Sequence, residues 1–197
     1  MRKGSVFFGI FIFVTASVMS TFAQGDATFT GTVMSFGSGR NTRTTTAPFT
    51  MRVTGVTSDI QAARYLTVLQ DGGQDDLLRT VQNENLGFFA SGGRVGDALN
   101  IVRVSDIDGK RMIRAVFERR INIAEFRYGH RSTDYPFGYV ELIVDPKTGR
   151  GDGTYISAAQ IRVRKDRRTG VETVEIESFA TFPSRLMGVR MRGANVP

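Results

Sequence analysis

The chain has 197 residues, of which 41% are apolar and 23% charged, with a formal charge of +7, no cysteine and one histidine. These counts exclude disulfides, thiolate metal sites, a cysteine nucleophile and a lipid-modified N-terminal cysteine. A single histidine also leaves the usual zinc and copper ligand sets out of reach of one chain, while the apolar share is enough for one packed domain.

The chain opens MRKGSVFFGIFIFVTASVMSTFAQGD. Arg2 and Lys3 form a positive n-region, residues 5–19 an apolar h-region, and Thr21-Phe22-Ala23 a small-x-small cleavage site. This predicts a signal peptide over 1–23, cut before Gln24, and a single β-rich domain over 24–197. The apolar run is shorter than the roughly 20 residues a span needs, so no stable membrane span is expected after its removal. The expected location is periplasmic or extracellular. Losing Arg2 and Lys3 lowers the charge from +7 to +5. The remaining positives are scattered rather than gathered in one run, as on a mixed soluble surface.

In DATFTGTVMSFG, Phe29, Gly31 and Val33 alternate with threonines, which predicts a strand. Residues 37–48 read as a polar loop. Phe49, Met51 and Val53 then share one side of a second strand. The period changes at TSDIQAARYLTVLQDGG. Ser58 and Gln61 have capping-box spacing, Ile60, Ala63, Leu66 and Leu69 fall on one face, and Gly72-Gly73 stops the helix. QDDLLRTVQNENLG reads as a second short helix, completing an inserted pair near residues 58–86.

Beyond residue 98 the chain reads as strands. Asp108-Gly109 is a two-residue hairpin turn. It sets Val104 opposite Ile113, Asp106 opposite Arg111, and Arg103 against Arg114. That last clash suggests a third strand reversing at Arg119-Arg120, with Val116 facing Ile123 and Glu125 neutralising Arg114. Asp145 to Gly149 carries turn chemistry. A loop at 167–170 pairs Ile161 with Ile176, Val163 with Val174, Arg162 with Glu175 and Lys165 with Glu172. In RLMGVRMRG, Met187, Val189 and Met191 alternate with arginines. The predicted fold class is α+β: an antiparallel meander of about eight or nine strands, forming a bent sheet or partly closed barrel.

The stretch EFRYGHRSTDYPFGYVEL, residues 125–142, holds the only histidine. A proton-transfer pair of His130 and Asp134 beside a Ser132 nucleophile needs a geometry that adjacency in sequence does not supply. Glycine, serine, aspartate and proline also make this an ordinary loop. Candidate ligand-binding residues are Glu125, His130, Asp134, Tyr135, Glu141 and Arg114; none is assigned as catalytic. SDIDGK and DPKTGRGDG read as turns, shorter than calcium loops usually are, so no metal or cofactor is expected. SGGRVGD does not run from a strand into a helix, as a phosphate loop must. RGD at 150–152 is a tripeptide that chance supplies. RLMGVRMRG is basic but lacks the aromatics of a nucleic-acid surface.

The pattern TSD…LQDGGQDDLLRTVQ, then ERRINIAEF and STDYPFGYVELIVD…GTYISAAQI, resembles an uncharacterised family of small exported bacterial proteins. The resemblance spans nearly all of 24–197. It implies no reaction, cofactor or partner, and carries over no functional residue. Glu125, Ser132, Asp134, Tyr135, Pro136 and Glu141 are the matching positions with chemistry, and Arg120 stands where the family pattern leads one to expect proline. The expected function is a non-catalytic envelope module binding a small ligand or an envelope protein. The alternatives are a small hydrolase using the acids and His130, and a structural envelope component.

Overall fold

The computed structural model describes residues 26–37, 43–121, 123–127, 131–165, 170, 172–180 and 182–193. The expected signal peptide, His130 and most of the 167–170 turn lie outside the described residues.

Ten strands form one antiparallel sheet. They are β1 (Ala27–Ser35), β2 (Thr45–Val53), β3 (Gly87–Ser91), β4 (Asp97–Ala98), β5 (Ile101–Ile107), β6 (Lys110–Glu118), β7 (Phe137–Val144), β8 (Arg150–Lys165), β9 (Glu172–Ser178) and β10 (Ser184–Arg192). The order is β4-β3-β2-β1-β10-β8-β7-β6-β5, with β9 on the distal part of β8. Strand pairing does not close the sheet, but the sheet curls. Phe29, Met51 and Phe89 from one end join Val102, Ile113 and Phe117 from the other in a single inner core. Where the ends approach, Thr57 N–H donates to Val102 O at 2.8 Å, and Val102 N–H donates to Thr57 Oγ1 at 3.0 Å. The expected α+β class with a bent antiparallel sheet is what the chain forms.

A second core lies on the outer face, beneath α1 (Asp59–Val81). Ser58 Oγ accepts from Gln61 N–H and the Gln61 side chain accepts from Ser58 N–H, so the capping box forms as expected. At Gly73 the backbone turns to φ 74°, ψ −167°. Only glycine takes such a conformation without strain, so the helix breaks there into the two pieces expected from the sequence. The buried stripe is Tyr65, Leu69, Leu77 and Val81, spaced by fours across the break. Ile60, expected on that face, is 85% exposed. The i+3 reading of the sequence chose a stripe rotated away from the one that packs.

Both hairpin registers hold. Asp108 and Gly109 take φ of 52° and 73°, the two left-handed residues of a type I′ turn. Val104 pairs with Ile113, Asp106 with Arg111 and Arg103 with Arg114. In the other hairpin, Ile161 pairs with Ile176 and Arg162 with Glu175.

Among the described residues, no strand lies between Arg119-Arg120 and β7, where a third strand was expected. Residues 123–127 form a short helix, α2, and 131–134 a single 3₁₀ turn. The neighbour of β6 is β7, which sets Glu141 opposite Arg114 and Tyr139 opposite Val116. β3 and β4 are additional to the strands expected. In β10 the alternation breaks at Gly188, φ 60°. A bulge there lets Leu186 and Val189 both face the core and leaves Met187 43% exposed.

Candidate functional site

The six candidates from the sequence fall in separate places. Arg114 and Glu141 meet on the outer face, beside Tyr139. Arg114 Nε donates to Glu141 Oε2 at 2.9 Å, and the Tyr139 hydroxyl donates to the same oxygen at 2.9 Å. Burial, then the Glu141 charge, raise the Tyr139 pKa far above its ordinary value. Tyr139 is therefore a fixed donor at neutral pH. Its partner Glu141 is also held by Arg114, an arrangement that suits positioning better than proton transfer.

Glu125 belongs to a different cluster. Arg119 follows the last residue of β6, with its side chain only 10% exposed. Its Nη2 donates to Glu125 Oε2 at 2.9 Å and to Ser132 O at 2.6 Å. Its Nε donates to Tyr135 O at 2.6 Å. Ser132 Oγ donates to Glu125 Oε2 at 2.7 Å. One guanidinium thus gathers α2, the 3₁₀ turn and the entry to β7. Glu125 neutralises Arg119 rather than Arg114, and Ser132 spends its hydroxyl proton on that carboxylate. The cluster shapes the 119–136 connection.

Tyr135 turns elsewhere again. Its hydroxyl donates to Glu177 Oε1 at 3.1 Å, and its ring meets Phe179 edge-on at 5.3 Å between centroids. The Asp134 side chain is exposed, while its backbone oxygen accepts from Gln74 Nε2 at 2.9 Å. His130 lies outside the described residues. The structure therefore joins Arg114 to Glu141 and separates that pair from Glu125, Tyr135 and Asp134. Among the described residues, no group of three or more His, Asp or Glu side chains could hold a metal ion.

The sequence did not single out the open half of the outer face. Beyond the reach of α1, the outer side chains of β6, β7, β8 and β10 border a groove of about 790 Å³. Lys110, Arg150 and Arg190 line it, with Glu141, Asp145 and Asp152 among them. The acids are already engaged. Asp145 Oδ1 accepts from Lys147 N–H at 2.7 Å and Thr148 N–H at 3.2 Å, which hold its pKa below the usual carboxylate value. Asp152 Oδ1 accepts from Gly188 N–H at 3.3 Å, and Glu141 is held by Arg114. Among the described residues, Lys110, Arg150 and Arg190 have no acidic partner within ion-pair distance. The signal available in the sequence was the period of two in RGDGT, which puts 150, 152 and 154 on one face; seeing a site there also required knowing that β10 lies alongside.

Two smaller hollows flank this face. One, about 100 Å³ and apolar, lies under α1 between Leu69, Val116 and Ile161. The other, about 450 Å³, is bordered by Asp97, Asn100, Arg119 and Arg120. There Arg120 Nε approaches Asp97 Oδ1 at 3.0 Å, and partial burial raises the Asp97 pKa.

Compared with known proteins, the chain matches no family model, no curated protein and no solved structure. No helix among the described residues is long and apolar enough to cross a membrane.

Proposed function

We propose that this chain is an exported, non-catalytic module of the bacterial envelope, and that it binds its ligand or partner in the open groove of the outer face. The observation that carries this reading is an imbalance within one sheet surface. Under and beside α1, basic side chains are matched to acids: Arg103 to Asp59, Arg114 to Glu141, and Arg162 and Arg164 to Glu175. In the groove, Lys110, Arg150 and Arg190 point at solvent beside a concavity of about 790 Å³. Binding sites are concave and carry a few convergent polar groups. The engagement of Glu125 by Arg119 and of Glu141 by Arg114 weighs toward binding over hydrolysis, since a general base must be available to take a proton.

Two measurements test it. Intact mass of the exported protein should show cleavage before Gln24. A soluble envelope extract should raise the thermal midpoint of the wild type and leave Thr154→Trp, which fills the groove, unshifted. An equal shift in both proteins would remove the groove from the reading. Hydrolysis of ester or glycosidic substrates that is lost in Asp134→Ala or His130→Ala, with folding intact, would replace binding by catalysis.

A further inference from the structure

We propose that the ligand of the groove is an anionic glycan, a sugar chain bearing sulfate or phosphate groups, laid across β8 and β10. This rests on the groove being the binding site, and adds the chemistry of what it takes. Arg190 and Arg150 are cross-strand partners. Like charges placed directly opposite one another destabilise a sheet, and an oxyanion between them turns that repulsion into two charge-assisted bonds. Arg185 and Arg192 extend the row along exposed positions of β10, and Lys110 closes it from β6. None of these five has an acidic partner within ion-pair distance among the described residues. Against them stand Asp145 and Asp152, while Glu141 is cancelled by Arg114. Five positive charges against two negative leave a surplus of three on one open surface.

The setting favours a glycan over other polyanions. Thr28 and Thr30 are the β1 partners of Arg192 and Arg190, and Thr154 lines the groove, so hydroxyls run beside the guanidiniums. Bidentate guanidinium bonds match the tetrahedral oxyanions of sulfate and phosphate. A single-stranded nucleic acid needs aromatic faces for its bases, and among the described residues no aromatic side chain lines this groove. The exposed phenylalanines Phe179 and Phe182 belong instead to the segment between β9 and β10. A bilayer surface meets convex, apolar-tipped elements, whereas this site is a trough whose large apolar side chains, among the described residues, are Ile143 and Val189.

The test is a calorimetric titration of the mature protein with a heparin hexasaccharide, with a neutral dextran oligomer of matched length as control, at about 150 mM salt. Saturable binding of the hexasaccharide alone is expected, weakening as salt rises. The Arg150→Gln/Arg190→Gln double variant should lose about tenfold or more in affinity. Arg162→Gln/Arg164→Gln removes the same charge from the matched β8–β9 hairpin and should lose less than about twofold. Unchanged thermal midpoints establish that each variant is folded. Equal losses in the two double variants would overturn the proposal, reducing it to net charge. Binding to phosphatidylglycerol vesicles without binding to the hexasaccharide would overturn it in favour of a membrane. A groove-dependent shift by envelope extract, abolished in Thr154→Trp while the hexasaccharide does nothing, would retain the groove and discard the anionic glycan.

Discussion

The two halves of the outer sheet face share β6, β7 and β8 and differ in what covers them. Where α1 crosses, Tyr139, Ile156 and Ile161 are buried with Leu69 and Leu77, and each cross-strand arginine meets an acid. Past the end of α1, the same strands carry Ile143 37% exposed and a row of basic side chains opposed by little negative charge. On the outer side of β7 burial fades from Tyr139 through half-buried Glu141 to exposed Ile143, while the inner side remains core to Val144. A sheet face left without a helix has to be polar to stay soluble. Polarity alone does not require the charges to be unmatched, and that excess distinguishes a surface suited to binding from one that is merely solvated.

The contrast is sharpest in stability. Phe137→Ala removes a fully buried ring under α1 and should cost about 3–5 kcal/mol, read as a lower urea midpoint with unchanged slope. Leu69→Ala, on the helix side of the same core, should cost about 2–4 kcal/mol. Arg114→Gln leaves the half-buried Glu141 with one fewer partner and should cost about 1–3 kcal/mol. Arg150→Gln, in the open half, should stay within about 0.5 kcal/mol of the wild type or stabilise the protein, since it relieves the Arg150–Arg190 opposition. A loss at Arg150 as large as that at Arg114 would erase the distinction between the two halves.

Alkaline pH probes the covered half and the inner core without mutation. The phenol of an unfolded tyrosine ionises near 10. Folded Tyr155 is pushed up to about 12 by burial and then by the Asp97 charge, and Tyr139 is raised further still. Above about pH 10 the unfolded chain therefore binds fewer protons than the native one, and stability falls as pH rises. Tyr139→Phe should flatten part of that alkaline limb. A limb identical to the wild type would mean that Tyr139 ionises as freely when folded as when unfolded.

Local pairing was legible in the sequence wherever a turn fixed it. Asp108-Gly109 determined the whole β5–β6 register, and the acids facing RVRK determined that of β8–β9. Long-range pairing was not. The clash of Arg103 with Arg114 was visible, but its resolution was assigned to Glu125, an acid of the next stretch of chain. The structure resolves it twice, through Asp59 on the helix and Glu141 on β7. No local pattern announces that Glu125 of α2, Ser132 and Tyr135 gather around Arg119, because what joins them is a guanidinium just beyond the end of β6. The same limit hid the groove. Its floor and walls come from β6, β7, β8 and β10, and only tertiary pairing brings Arg150 to Arg190. Met187 was misassigned for a smaller reason, since one bulge at Gly188 reverses the parity of every later position in β10.

β1, the first strand described, lies in the middle of the sheet between β2 and β10, and β10 is the last. Residues 27–35 therefore complete their hydrogen bonds only with residues 184–192, more than 150 positions later. A chain emerging amino end first has nothing to offer β1 on that side until residues 184–192 have followed. Its first hairpin must wait with one edge bare, and the inner core cannot close around Phe29 before Leu186 and Val189 arrive. Such an order favours a sheet that closes in one late, cooperative step rather than strand by strand.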